Sequence, residues 1–168
     1  MAASHELNTA PPFAGAHNRS HHMNPVAYVA IIREEGPRDF IVTFPDVPEA
    51  ITQGDSLEEA QSAAFDALAT ALGSYLKRGR EFPPARATIG RQSAQGATAC
   101  LVPVELKLAA RGRLVQEMKA QGINNVRLAA LMHRDEKAVR LILSGKGASL
   151  DKTLAALRAV GVRPALAA

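Results

Sequence analysis

Three aspartates lie near the ends of β-prone segments and could carry metal or acid–base chemistry: Asp39, Asp46 and Asp55. Carboxylates brought together at strand ends can bind Mg²⁺ or act as general acid and base. Their surroundings favour structural roles, because Asp46 lies in the proline bend PDVP, where a carboxylate readily accepts local backbone N–H groups, and Asp55 precedes the helix-capping Ser56. The sequence contains no nucleophile–base pair, phosphate-binding glycine loop or zinc ligand set. It therefore argues against an enzyme and predicts no catalytic residues and no cofactor.

The other groups capable of metal or covalent chemistry are three histidines near the N-terminus and a single cysteine. His17, His21 and His22 could together bind a transition metal, since imidazoles are good ligands. They fall in residues 1–22, which have no hydrophobic period and are rich in Pro, Ala, Ser and His, so we expect a disordered tail that does not hold them in place. Cys100 is interpreted as a small buried hydrophobe, because no basic partner or helix N-terminus is evident beside it. The sequence therefore predicts no metal site.

The segment NNVRLAALMHRDEKAVRLILSGK has the pattern of two short helices joined by a tight turn. The apolar residues that fall where crossed helices need contacts are Leu128, Ala129, Met132, Val139 and Ile142. The second helix could enter the major groove of DNA, with Lys137 or Arg140 reaching guanine edges. Neighbouring basic residues could hold phosphates, which position a protein without specifying a sequence. The predicted DNA-binding residues are Arg127, Glu136, Lys137, Arg140, Ser144 and Lys146.

This segment resembles the helix-turn-helix of phage-repressor-like DNA-binding proteins, with two departures at the turn. The family usually has glycine there, followed by an apolar residue, whereas this chain has His133 and Arg134. Histidine is tolerated in the left-handed backbone region, so we expect His133 to adopt it. Either the turn is displaced, or Arg134 extends outward toward a phosphate. The alternative interpretation is that these helices only mediate dimerisation.

The elements upstream of this segment begin with β-rich runs and continue with a long helix. The predicted strands are VAYVAIIREE from Val26, Phe40–Phe44 and Ala50–Gly54. Ser56 and Glu59 form an S-x-x-E capping box, which begins a helix that ends at Gly79. The helix residues expected to face the sheet are Leu57, Ala60, Ala64, Ala67, Leu68, Ala71, Leu72 and Tyr75.

The remaining connections complete an α+β fold. After the long helix, TIGRQSAQGATA is predicted to be a long hairpin turn or flexible connection, and Ala99–Val104 a strand that Pro103 places at an edge. From Glu105 the pattern is helical. The expected organisation is a disordered tail (1–22), a small β-β-β-α-β domain (23–104) and an all-α helix-turn-helix domain (105–168). Met23 could be the natural start.

Charge is distributed unequally along the chain. Residues 23–84 hold 5 basic and 10 acidic side chains, whereas residues 105–168 hold 12 and 5, so the net charges are −5 and +7. This asymmetry favours two partners of opposite charge, although it could arise by chance on so short a chain. No apolar run approaches the ~18 residues needed to span a bilayer. We therefore expect no membrane association and, with a lone cysteine, a reducing cytoplasm.

Most of residues 24–163 resembles the HicB antitoxin family of bacterial toxin–antitoxin pairs. The resemblance rests on FPDVPEAITQGDSLEEA, the alanine-rich helix after it, the Phe82-Pro83-Pro84 element and a C-terminal DNA-binding domain. The PD-x-P and GD-S-x-EEA elements together are fairly specific. Family members usually have Gly-Cys where this chain has Glu49 and Ala50, so we expect a different turn before the third strand.

The resemblance implies an N-terminal domain of partial RNase H-like fold that has lost its catalytic carboxylates. Its implied partner is a HicA-like toxin, a small basic mRNA-cleaving ribonuclease, and complementary charge would steer the acidic half to it. We expect Asp39, Asp46 and Glu49 to contact the toxin. A homodimer, or a higher even-numbered oligomer, would place two reading helices in operator DNA ~34 Å apart. A ligand-sensing repressor and a metal-dependent nuclease are the alternatives.

Overall fold

The computed structural model describes residues 27–92, 97–146 and 148–162. Its strands form one four-stranded antiparallel sheet in the order β3-β2-β1-β4. They are β1 (Ala27–Gly36), β2 (Asp39–Thr43), β3 (Ile51–Gly54) and β4 (Thr98–Pro103). The predicted tail of residues 1–22, its three histidines and Met23 lie outside the described residues.

β1 lies at the centre of the sheet because its run of β-branched and apolar side chains can be buried on both faces. Tyr28, Val29, Ala30, Ile31 and Ile32 are all buried. β1 pairs with β2 on one side and with β4 on the other. The last residue of β4 is Pro103, and β4 is an edge strand, as expected for a residue that cannot donate to a sheet hydrogen bond.

Helix α1 (Leu57–Lys77) begins at the predicted cap, with one difference in its hydrogen bonds. Ser56 Oγ accepts from the backbone N–H of Glu59 at 3.1 Å, as predicted. The Glu59 carboxylate accepts from the backbone N–H of Asp55 at 2.9 Å, whereas a capping box would use that of Ser56. The helix ends before Gly79, whose φ of 66° lies in the left-handed region.

Small side chains let α1 lie close to the sheet. Ala60, Ala64, Leu68 and Leu72 are almost completely buried in the first hydrophobic core, against strand residues such as Ile32 and Val42. The prediction that Leu57 also faces the sheet is wrong, since its side chain is 39% exposed. Leu57 is the first residue of α1, one turn before Ala60, which meets Gly54 at the end of β3.

The connection between α1 and β4 contains a short helix, α2 (Ile89–Gln92), in contact with β4. The sequence predicted a hairpin turn or flexible connection here. Gly90 has low helix propensity, but Arg91 and Gln92 favour a helix, and contact with β4 adds to that weak preference.

The C-terminal part consists of α3 (Leu106–Ala120), α4 (Asn125–Leu131), α5 (Glu136–Ser144) and α6 (Leu150–Ala159). The last three begin at side chains that accept a backbone N–H: Asn124, Asp135 and Ser149. A second hydrophobic core includes Leu114, Leu128, Val139 and Leu157. The helical content after an antiparallel sheet confirms the predicted α+β class.

The two cores are adjacent. Leu108 of α3 belongs to the first core, whereas Leu114, two turns later, belongs to the second. An ion pair of 2.9 Å joins Lys119 to Glu81, and α1 also contacts α5. Among the described helices, none combines the length and the apolar character that a membrane crossing requires.

Candidate functional site

The strand register separates the three aspartates considered for metal chemistry. Asp39 and Asp55 lie at one end of the β2–β3 pair, where Phe40 is opposite Gly54. Asp46 follows the other end of β2, and Asp55 forms an ion pair of 3.1 Å with Arg38. Within the described part of the chain, no group of three or more His, Cys, Asp or Glu side chains could hold a metal ion.

The prediction that the Asp46 carboxylate accepts backbone N–H groups within its own bend is wrong, because Asp46 binds a distant segment instead. Its Oδ2 accepts from the backbone N–H groups of Arg86 and Ala87, at 2.9 and 2.8 Å. The bend is closed by backbone bonds, from Val47 N–H to Phe44 O and from Ala50 N–H to Val47 O. The carboxylate is therefore available to a segment forty residues away.

Tyr28 holds the same segment from inside the core. Its hydroxyl donates to Pro83 O at 2.6 Å. Burial, and secondarily the Asp46 carboxylate, raises the pKa of the Tyr28 phenol well above its usual value. Tyr28 of β1 thus holds the Phe82-Pro83-Pro84 element, and Asp46 of the proline bend holds the residues just after it.

Glu49 is an exposed carboxylate held in a fixed orientation. Tyr75 Oη lies 2.9 Å from each of its oxygens, and the Arg80 guanidinium lies 4.7 Å above the Tyr75 ring. A backbone hydrogen bond first, and then the Tyr75 hydroxyl and Arg80, lower the pKa of the Glu49 carboxyl. Burial and the hydrogen bond to Glu49 raise the pKa of Tyr75. This arrangement presents a pre-oriented negative charge.

A groove runs between edge strand β3 and helix α1, and we call it the β3 groove. Glu49 and Asp66 supply negative charge to its border, and Arg78 supplies one positive charge. Ile51 on the strand side is 63% exposed. An edge strand offers backbone N–H and C=O groups to which an extended segment of another protein can add. The β3 groove therefore has the chemistry of a protein-docking surface.

The turn between α4 and α5 has the hydrogen bonds of a Schellman motif. Arg134 N–H donates to Ala129 O at 2.9 Å, and His133 N–H donates to Ala130 O at 3.2 Å. His133 has a φ of 51°, which confirms that it adopts the left-handed conformation. Arg134 is exposed and points outward, so no buried arginine has to be compensated there.

The outer face of α5 brings together most of the predicted DNA-binding residues. Lys137 is exposed, and Arg140 is held by an ion pair of 2.6 Å to Glu136. The Ser144 hydroxyl donates to Leu141 O at 3.2 Å. Arg140, Ser144 and Lys146 border one groove, which we call the α5 groove. Arg127 is separate, because it borders a different cleft beside Gly122 and Val160.

Two residues that support this surface were missed in the sequence. Leu141 is 44% exposed, one turn from both Lys137 and Ser144, and an apolar side chain at such a position suits a thymine methyl group. Leu141 does not lie on the apolar helix stripe that contains Val139 and Ile142, and this position in the sequence could have indicated that its side chain is exposed. Arg111 is buried and donates to Leu143 O at 2.6 Å, so it secures the C-terminal end of α5. Burial lowers the pKa of its guanidinium.

Two exposed surfaces characterise this α+β fold. One is a groove beside the edge strand β3, and the other is an exposed helix that follows a tight turn. A family model described as the HicB_like antitoxin of bacterial toxin–antitoxin system matches residues 27–109. The match thus spans the sheet, α1 and the first turn of α3.

Two curated relatives extend this comparison. The chain is 33% identical over 129 residues to Antitoxin HicB 2 of Photorhabdus laumondii, an alignment that covers 76% of this chain and 86% of that protein. It is 46% identical over 44 residues to Antitoxin HicB of Escherichia coli K12, covering 26% and 32% of the two chains. The chain belongs to the HicB-like family of bacterial antitoxins. This confirms the resemblance noted in the sequence and the prediction that the chain is not an enzyme.

The chain also has a likeness to a solved structure. The crystal structure of the Burkholderia pseudomallei antitoxin HicB gives a TM-score of 0.46 at 15% identity, covering 74% of this chain and 100% of that one. A likeness at this level adds no weight to the family assignment.

Proposed function

We propose that this antitoxin neutralises a HicA-like, mRNA-cleaving toxin encoded beside it and represses its own operon. Residues 23–104 would bind the toxin, and residues 105–168 would bind DNA and dimerise, all in the cytoplasm. The observation that carries this proposal is the alignment to Antitoxin HicB 2, whose 129 residues are too many to fall within either part alone.

Toxin binding is supported by charge and by shape. Residues 23–84 have a net charge of −5, which would attract a basic toxin and orient its approach. Asp39 is exposed on β2, and Glu49 is exposed beside the β3 groove. Asp46 and Glu49 also have structural partners, so Asp39 is the predicted contact residue that can be changed with the least disturbance to the fold.

DNA binding is supported by the geometry of α4 and α5. The caps Asn124 and Asp135 and the Schellman turn fix the start and end of two short helices, and the residues exposed on α5 include Lys137 and Arg140. The second half carries a net charge of +7, which suits a polyanion. Two such helices in a dimer would read the two halves of an imperfect palindrome.

The test uses two full-length variants that should lose different activities. Lys137→Ala combined with Arg140→Ala should weaken binding to the DNA upstream of the gene by roughly 30-fold or more, because each bidentate base contact contributes ~1–3 kcal/mol. The same variant should still rescue growth of cells that express the neighbouring toxin gene. Asp39→Lys should show the reverse pattern, with normal DNA binding and weakened capture of the purified toxin.

Each outcome decides the proposal. If both variants lose both activities while circular dichroism shows a normal fold, the division between the two surfaces is wrong. If the wild-type protein binds neither the upstream DNA nor the neighbouring gene product, the proposal fails as a whole. A protein that binds the DNA only in the presence of a small molecule would support a ligand-sensing repressor.

A further inference from the structure

We propose that the C-terminal turn of α1 is part of the DNA-binding surface, with Lys77 contacting a phosphate beside the groove that α5 reads. This inference rests on the proposed DNA binding and adds to it a contact from the half of the chain assigned to the toxin.

The α5 groove lies where three helices meet. The end of α1 contributes Leu76 and Lys77, the start of α4 contributes Asn125, and α5 with its following turn contributes the remaining border. Three of the bordering residues are cations, namely Lys77, Arg140 and Lys146, and none of the residues bordering it is acidic. Positive charge from three separate segments of the chain therefore converges on one concave surface.

The charge of this surface is only partly neutralised. Arg140 is paired with Glu136 at 2.6 Å. Lys77 and Lys146 are both exposed, and neither forms an ion pair with any residue that the structure describes. The two uncompensated ammonium groups and the Asn125 amide border the same groove and form a set of hydrogen-bond donors. Ammonium and amide groups are among the side-chain groups that proteins use to contact phosphate oxygens.

The position of the groove relative to α5 identifies which phosphates it would meet. Arg140 and Ser144 lie on the outer face of α5 and also border the groove, so the groove flanks the edge of the reading surface. The major groove of B-DNA is about 12 Å wide, so side chains that flank an inserted helix reach the backbone and not the bases. Lys77 is therefore placed for a phosphate contact that carries no sequence information.

The same turn of α1 also reaches the other surface. Ser74, Tyr75 and Arg78 border the β3 groove, while Leu76 and Lys77 border the α5 groove. The last turn of α1 thus lies between the proposed toxin-docking surface and the proposed DNA surface. A phosphate held by Lys77 would link α1 directly to the bound duplex.

The experiment measures DNA affinity of the full-length protein by fluorescence anisotropy, at several salt concentrations. The probes are the upstream duplex and an unrelated duplex of the same length. Lys77→Gln should weaken binding to both duplexes by a similar factor. The plot of log K against log salt should also become less steep, by about 0.9 for each phosphate that the protein no longer neutralises. Lys77→Arg, which keeps the charge, should restore the affinity and the slope.

A matched control and a positive reference complete the design. Arg33→Gln removes one exposed positive charge from the hairpin end of the sheet, and it should leave the affinity and the slope close to those of the wild type. Lys137→Ala should instead lower the preference for the upstream duplex over the unrelated one. The inference is overturned if Lys77→Gln behaves like Arg33→Gln while the wild type binds specifically. If the wild type does not bind the upstream duplex, the proposed function itself fails.

Discussion

Gly54 is the residue at which a single methyl group should test the packing of α1 on the sheet. It is buried at the end of β3, directly beneath the first turns of α1. A Cβ at this position would lie 2.5 Å from the backbone nitrogen of Ala60 and 2.9 Å from its Cα. Gly54→Ala therefore requires α1 to move away from β3, because the colliding atoms are backbone and cannot rotate aside.

The size of the effect follows from the geometry. Ordinary contacts of a Cβ begin near 3.4 Å, and the added Cβ would lie 2.5 Å from Ala60 N, so the two backbones must separate by about 0.9 Å where Ala60 and Ala64 are 0% exposed. Displacing a packed backbone in this way costs about 1–3 kcal/mol, the range found for overpacked cores. We expect Gly54→Ala to lower the free energy of unfolding by that amount.

Gly73→Ala supplies a control with the opposite expected sign. Gly73 lies inside α1, and an added Cβ there would meet nothing within 4 Å. Replacing a glycine inside a helix by alanine stabilises by about 0.5–1 kcal/mol. Urea unfolding followed by far-ultraviolet circular dichroism measures both variants against the wild type. A Gly54→Ala protein as stable as the wild type would show that α1 does not approach β3 as closely as described.

Two further predictions concern the turn and the fixed carboxylate. His133→Gly should raise the free energy of unfolding by up to about 1 kcal/mol, because a side chain in the left-handed region is strained, and thermal melting can measure this. An unchanged or lower stability would contradict the strain. Tyr75→Phe should raise the pKa of the Glu49 carboxyl toward its usual value, since the hydroxyl stabilises the ionised form. A carboxyl chemical-shift titration measures this pKa. Because the pKa of Glu49 is lowered in the folded protein, its ionised form stabilises the fold, and this stabilisation is lost as the pH falls through the lowered pKa. The loss of stability at acid pH should therefore be smaller in the variant.

The sequence alone determined the local features of this protein, because their physical causes act within a few residues. The caps Ser56, Asn124 and Asp135 each bond a backbone N–H three positions later, so the helix starts could be predicted from residue type and spacing. The left-handed conformation of His133 is equally local. The apolar stripe of α5 and the acidic–basic asymmetry were also visible, and the PD-x-P and GD-S-x-EEA elements indicated the family.

Only the tertiary structure decided which distant groups meet. Asp46 bonds a segment forty residues away, and Arg111 reaches the end of α5, because the packing of separate elements brings these atoms together. Leu57 has the right helical phase for burial but is 39% exposed at the first position of α1, and periodicity does not show where along a helix the packing begins. The convergence of Lys77 and Lys146 on one groove likewise depends on how α1 packs beside α5, since sixty-nine positions separate them along the chain.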